Sequence, residues 1–294
     1  MMGRLWATAG LVVGAAVAVS SQAPQFRSRV EAVRVDVSVM RGTTPVSGLT
    51  AANFGLTDAG VPQSITGVSV DTVPLKITLV LDTSGSLAGE RMADLIAATR
   101  GLVEVLKPED SVAVLAFSEA AQLAVSATRD RPTVLKALGG LKAEGATALY
   151  DALFLALQLR DDTADGRSIA LVFSDGRDTA SWLSEANVIE AARRSGVVVQ
   201  VVELATSGQR PSRSGASRAL ERLADAGGGR RWSASSSRDL RELFVRVLEE
   251  LRSRYLLTYY PTGVAREGWH DVKVTLKGAR GDVIARPGYF VAAQ

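Results

Sequence analysis

Apolar and polar positions divide this chain into three stretches with different periods. Residues 30–40 (VEAVRVDVSVM) alternate, so Val33, Val35, Val37 and Val39 share one face of a half-buried strand. The runs RGTTPVSGL and TDAGVPQSI follow, and residues 30–70 read as short strands joined by turns. At Pro74 the pattern changes. LKITLVLD (75–82), SVAVLAFS (111–118), SIALVFSDG (168–176) and VVVQVVEL (197–204) are nearly continuous apolar runs, as in strands covered on both faces. AAQLAVSAT (120–128) reads as a hairpin partner of 111–118, and GRRWSA (229–234) as a short strand. Helical periodicity fills the intervals. It runs from Glu90 to Lys107, Pro132 to Leu141, Thr147 to Arg160, Glu185 to Ser195, Ser217 to Ala226 and Asp239 to Arg252. Gly196 stops the fourth of these helices, and Gly227, Gly228 and Gly229 cap the fifth.

Strands alternating with helices at this spacing predict an α/β fold, a doubly wound and mostly parallel sheet with helices on both sides. After Arg252 the period returns to β in YLLTYYP (255–261), HDVKVTLKG (270–278) and VIARPGYFVA (283–292). Neither flank has enough strands to be stable alone, so the two are expected to meet in one small sheet or sandwich. The expected organisation is a signal peptide over 1–22, an N-terminal β segment over 23–73, the α/β domain over 74–252 and a C-terminal β segment over 253–294.

The first residues carry a separate signal. Arg4 precedes an almost uncharged apolar run from Leu5 to Val19, and small residues Ala18, Ser20, Ser21 and Ala23 come next. A basic start, a short apolar core and a small-residue exit describe a secretory signal peptide. The run is shorter than the roughly 20 residues a spanning helix needs, though an uncleaved N-terminal anchor is the competing reading. No later segment has the length and apolarity to span a bilayer. A secreted or periplasmic location is expected.

Composition narrows the function classes. The chain has 294 residues, 47% hydrophobic and 22% charged, with net charge +3, which is ordinary globular composition. No basic stripe interleaves with aromatics, so nucleic acid is not an expected partner. Without cysteine there is no disulfide, thiolate metal site or cysteine nucleophile. The single histidine, His270, lies in the C-terminal β stretch and reads as a surface or turn residue, which leaves the α/β domain without a histidine base for triad chemistry. GxSxG, GxxxxGK[ST] and a strand-following GxGxxG are all absent.

The strand 75–82 ends in Asp82-Thr83-Ser84-Gly85-Ser86, and the strand 168–176 ends in Asp175-Gly176. In an open α/β sheet, ligands bind outside the carboxyl ends of the strands. Gly145-Ala146-Thr147, just before a helix, offers one more hydroxyl. Asp82, Ser84, Ser86, Thr147 and Asp175 are thus five hard oxygen donors that can line one pocket. Two carboxylates among neutral oxygens suit Mg²⁺, or Mn²⁺, while Ca²⁺ fits less well because it takes more ligands. Each residue alone also has a plain structural reading. Asp82 and Thr147 can be helix caps, and Asp175-Gly176 can be a turn. Asp151, Asp178 and Glu119 lie near the same loops and read as solvated charges or as supports for the donors. Trp182 follows the Asp175 loop and reads equally as an interface anchor or as a packing residue. Tyr255, Tyr259 and Tyr260 read as packing residues, and Trp232 and Trp269 as core or sheet residues.

Asp82-x-Ser84-x-Ser86, with Thr147 and Asp175 on later loops, resembles the metal-ion-dependent adhesion site of von Willebrand factor type A domains over roughly residues 74–250. The flanks (RVDVSV…VSGLTAANF and YLLTYYPT…RPGYFVA) resemble those of exported bacterial proteins of the same broad family. The resemblance implies one antiparallel edge strand, here 120–128. It also implies metal-dependent protein binding rather than catalysis, with a partner's Asp or Glu carboxylate completing the cation shell. Two alternatives stay open. One is a scaffold whose metal only stabilises the fold. The other is a Mg²⁺-dependent phosphotransferase of the haloacid dehalogenase type, which would need an acid where Ser84 stands.

Overall fold

A computed structural model describes residues 32–70, 73–159, 166–204, 215–234 and 237–292. The expected signal peptide, 1–22, lies outside the described residues. The N-terminal flank supplies β1 (Val33–Arg41), β2 (Thr44–Pro45), β3 (Phe54–Asp58), β4 (Val61–Gln63) and β5 (Ile65–Val70). The α/β region runs β6 (Leu75–Asp82), α1 (Glu90–Glu104), β7 (Ser111–Phe117), β8 (Ala121–Thr128), α2 (Arg131–Gly139), α3 (Leu149–Gln158), β9 (Arg167–Ser174), α4 (Glu185–Ser195), β10 (Val198–Leu204), α5 (Gly215–Ala226), β11 (Arg231–Ala234) and α6 (Ser237–Arg252). The C-terminal flank adds β12 (Tyr255–Tyr259), β13 (Gly268–Leu276), β14 (Asp282–Ala285) and β15 (Gly288–Val291).

The six-stranded sheet has the order β11-β10-β9-β6-β7-β8, with every pairing parallel except that of β8 with β7. The edge hairpin expected at 120–128 is therefore present. Side chains alternate across β6 as the double-sided burial requires. Leu75, Ile77, Leu79 and Leu81 enter the core under α1, α2 and α6, while Val80 enters the core under α3, α4 and α5. The chain leaves β6 toward β7 and β8, then returns to build β9, β10 and β11 on the other side. The point where the winding reverses is the β6–β9 pair, and this is where open α/β sheets bind ligands.

The two flanks do meet, and they form two sheets. One has the order β14-β1-β12-β5, with β2 paired to β1; the other has the order β15-β13-β3-β4. Each mixes strands from both ends of the chain. Val35, Val37 and Val39 on β1, Phe54 and Leu56 on β3, Tyr255, Leu257 and Tyr259 on β12 and Val272 on β13 share one apolar core. The stretch expected as one strand, 283–292, is two short strands. Arg286 and Pro287 break it, and β14 and β15 join different sheets.

His270 corrects the sequence reading. It is buried on β13, where its Nδ1 lies 2.9 Å from Asp58 Oδ1 and its ring stacks on Tyr289. Asp58 Oδ2 accepts from the hydroxyls of Tyr259 and Tyr289, each at 2.8 Å. The hydrogen bond at Nδ1 offsets part of the cost of this burial, while Nε2 is buried without a partner among the described residues. The pattern showed only a polar residue at a strand position and could not show Asp58 across the sheet.

The glycine triplet caps α5 as expected, since Gly228 and Gly229 donate to Asp225 and Ala224 carbonyls. It also serves packing. A Cβ on Gly228, whose φ is +68°, would sit 2.4 Å from the Arg286 backbone nitrogen. Only glycine lets the β14–β15 turn approach the α/β unit here.

Candidate metal centre at the sheet switch point

Asp82 closes β6 and is fully buried. Its Oδ1 accepts the Ser84 N–H at 2.9 Å and its Oδ2 accepts the Ser174 hydroxyl at 2.7 Å. Burial pushes the Asp82 carboxyl above its ordinary range, the like charge of Asp175 adds to this, and hydrogen bonds from Ser84 and Ser174 oppose it. The Ser84 and Ser86 hydroxyls are 3.0 Å apart, and Ser86 donates to Asp175 Oδ2 at 3.2 Å. Asp82, Ser84, Ser86 and Asp175 therefore form one continuous polar chain over the ends of β6 and β9.

Backbone bonds bring the Thr147 loop to the same place. Gly85 N–H donates to Gly145 O at 3.0 Å, and Glu144 N–H donates to Thr83 O at 2.8 Å. Thr147 itself is buried, and its carbonyl accepts from Thr179 and Ala180 in the loop after Asp175. Gly145 has φ +77°, and a Cβ there would meet the Glu119 side chain at 3.0 Å, so both backbone and space call for glycine.

The helix-cap reading of Thr147 does not hold. Ala148 occupies the N-cap position of α3, and no side chain of its own segment caps the helix. Asp178 does so from the neighbouring loop, with Oδ1 accepting from Leu149 N–H at 2.9 Å. Asp151 Oδ2 and Oδ1 in turn accept from Trp182 and Leu183 N–H, each at 3.0 Å. These two carboxylates are committed to holding loops in place. Sequence reasoning read Asp178 only as a solvated charge or a support for the donors, because Leu149, whose N–H it caps, lies 29 positions away in the chain. It also missed Ser174, the support of Asp82, which nothing but its place before Asp175 could have suggested.

Trp182 is 96% exposed, which removes its packing reading. It stands on the turn that Asp151 holds, beside the loop that clamps Thr147. Tyr255 and Tyr259 are buried packing residues as expected, and Trp232 is a core residue whose indole donates to Gln200.

Among the described residues no group of three His, Cys, Asp or Glu side chains could hold a metal. The donors here are two carboxylates and hydroxyls, the set a hard cation takes. The charge on Asp82 is opposed by burial and by the like charge of Asp175, and a divalent ion would relieve both.

Residues 77–177 match the model of the von Willebrand factor type A domain. Over that stretch, about a third of its length, the chain is a von Willebrand factor type A domain. Such domains are commonly metal-dependent protein-interaction modules. An uncharacterized protein of Synechocystis sp. is 36% identical over 88 residues, which covers 29% of this chain and 21% of that protein. The chain thus spans about a fifth of the length of this relative. The von Willebrand factor type A protein from Catenulispora acidiphila has the same fold at TM-score 0.53 and 16% identity, over 83% of this chain and 74% of that one. Proximal thread matrix protein 1 from the mussel byssus, solved with a zinc-occupied metal-ion-dependent adhesion site, has TM-score 0.53 and 16% identity, over 66% of this chain and 49% of its own.

Proposed function

We propose that this is an exported, metal-ion-dependent protein-binding module serving adhesion or assembly. Asp82, Ser84, Ser86, Thr147 and Asp175 hold Mg²⁺ or Mn²⁺, and a partner's Asp or Glu carboxylate completes the shell. When bound, the cation supplies a hard Lewis-acidic centre that prefers an anionic oxygen. The chain's own residues orient it. Ser174 and the Ser84 N–H fix the two oxygens of Asp82, and the Glu144 and Gly85 bonds fix the Thr147 loop. Trp182, exposed at the rim, packs against the partner.

The observation that carries this reading is the Ser84–Ser86–Asp175 chain beside a buried Asp82 whose ionisation is opposed by burial and by the charge of Asp175. The zinc-occupied site of the byssus protein supports a divalent ion on this fold. The apolar run behind Arg4 supports export, and among the described residues no helix is long and apolar enough to cross a membrane.

Calorimetry with Mg²⁺ tests the site. The wild-type chain should bind one ion, and Asp82→Ala should show none while keeping its circular dichroism spectrum. Capture of a partner from the native organism should require Mg²⁺ and be lost in a chelator. Partner binding that survives the chelator would instead support the scaffold role.

A further inference from the structure

At the opposite end of the sheet, where β9 and β10 begin, the α/β unit and the β sandwich border a partly open cavity of about 270 Å³. Its charged lining is uneven. Arg34, Arg167, Arg254 and Arg286 face it, with Asp36 as the sole acid. Asp36 pairs with both Arg167 and Arg254, and Arg254 also pairs with buried Glu250 at 2.6 Å. Two acids therefore balance two arginines. Among the described residues Arg34 and Arg286 form no ion pair, so of the described lining charges these two arginines stand outside the pairs.

Arg286 is the informative member. Its Nη2 donates to the Arg34 carbonyl at 2.9 Å, while its Nε is buried with no hydrogen-bond partner. Burial lowers the Arg286 pKa, and the attraction of Asp36 only partly offsets this. Buried guanidinium donors are normally satisfied. The hydrogen bond from Nη2 to the Arg34 carbonyl is what holds this guanidinium at the cavity. Arg34 is exposed, so a ligand can reach the cavity from its side.

We infer that this cavity binds a phosphate group, either as inorganic phosphate or as a small phosphate monoester, through Arg34 and Arg286. A phosphate dianion matches the two arginines unpaired among the described residues, and its several oxygens suit guanidinium donors arriving from different strands. The volume lies near the lower end of the range for small-molecule sites, which favours a compact ligand. Arg167 and Arg254, already engaged, fix the floor of the site through Asp36. The inference is independent of the metal reading, because the cavity shares no residue with the Asp82 face.

Calorimetric titration of the purified chain at pH 8 in low-salt, metal-free buffer tests it. One arm uses sodium phosphate, the second glycerol 3-phosphate, and the control is sodium chloride at matched ionic strength. A single saturable site is expected for at least one phosphate probe, with the tighter arm showing whether the free ion or an ester is the natural form. Arg286→Gln should weaken it about tenfold or more, the worth of a charge-assisted hydrogen bond. Arg34→Gln, an exposed change that leaves the fold intact, should also weaken it, and Mg²⁺ affinity should stay unchanged in both. Absence of saturable binding for both probes, equal binding by chloride, or undiminished binding in Arg34→Gln would overturn the proposal.

Discussion

The Ser86 hydroxyl donates to Asp175 Oδ2 at 3.2 Å, joining loops whose residues stand 89 positions apart in the chain. The bond exists because β6 and β9 are neighbours where the sheet winding reverses, so their carboxyl ends open onto one surface.

Metal and pH dependence follow from the burial of Asp82. Its folded pKa is raised above 3.8, so in the metal-free protein its ionisation costs stability as pH rises through that value. Asp82→Asn should therefore make the metal-free protein more stable at pH 7. Mg²⁺ should stabilise the wild type by about 2.7 kcal/mol at a hundredfold excess over Kd, and should not stabilise the variant. Because the cation needs the ionised carboxylate, Mg²⁺ affinity should fall on acidification at a pH above that of an exposed aspartate. Thermal melts with and without Mg²⁺ from pH 4 to 8 measure all three effects.

Trp182→Ala removes a side chain that is 96% exposed. The melting temperature and Mg²⁺ affinity should be unchanged, because the side chain supports neither. Affinity for the captured partner should fall at least tenfold, as for a tryptophan anchor. Surface plasmon resonance with and without Mg²⁺ reads the loss, and full affinity in the variant would place the interface elsewhere.

Asp178→Ala strips the first turn of α3 of its cross-loop cap at Leu149 N–H. By analogy with N-cap removal the loss is about 1–2 kcal/mol. Because α3 begins two residues after Thr147, metal affinity should weaken as well. Urea unfolding gives the first effect and calorimetry the second; a stable variant with unchanged metal binding would show that the Asp178 cap contributes neither.

The sandwich should fail in alkali. Burial and the hydrogen bond to Asp58 push the Tyr289 phenol up to about 12 from 10.0 and move Tyr259 in the same direction. A group that holds its proton more tightly when folded contributes stability fully present below its unfolded pKa and lost as pH rises through the folded one. The urea midpoint should therefore fall from about pH 10 toward pH 12, and less steeply in Tyr289→Phe.

The elements and the fold class were legible in the pattern of the chain alone. Double-sided apolar runs such as 75–82 and the stripe through Leu149, Leu153 and Leu157 are local signals of burial, and both reappear in the core. The spacing of acids and hydroxyls after two such strands was also enough to put Asp82, Ser84, Ser86 and Asp175 on one face. Which partner each polar side chain meets was settled by the folded arrangement. Asp178 rather than Thr147 handles the cap of α3, His270 is buried against Asp58, and Trp182 stands in solvent. Hydrophobic period is written within a few neighbouring residues, whereas a hydrogen bond depends on groups brought together from distant strands. The arginine-lined cavity belongs to the second kind. Arg34, Arg167 and Arg286 come from separate stretches of the chain, and only the docking of sandwich on sheet gives them a common space.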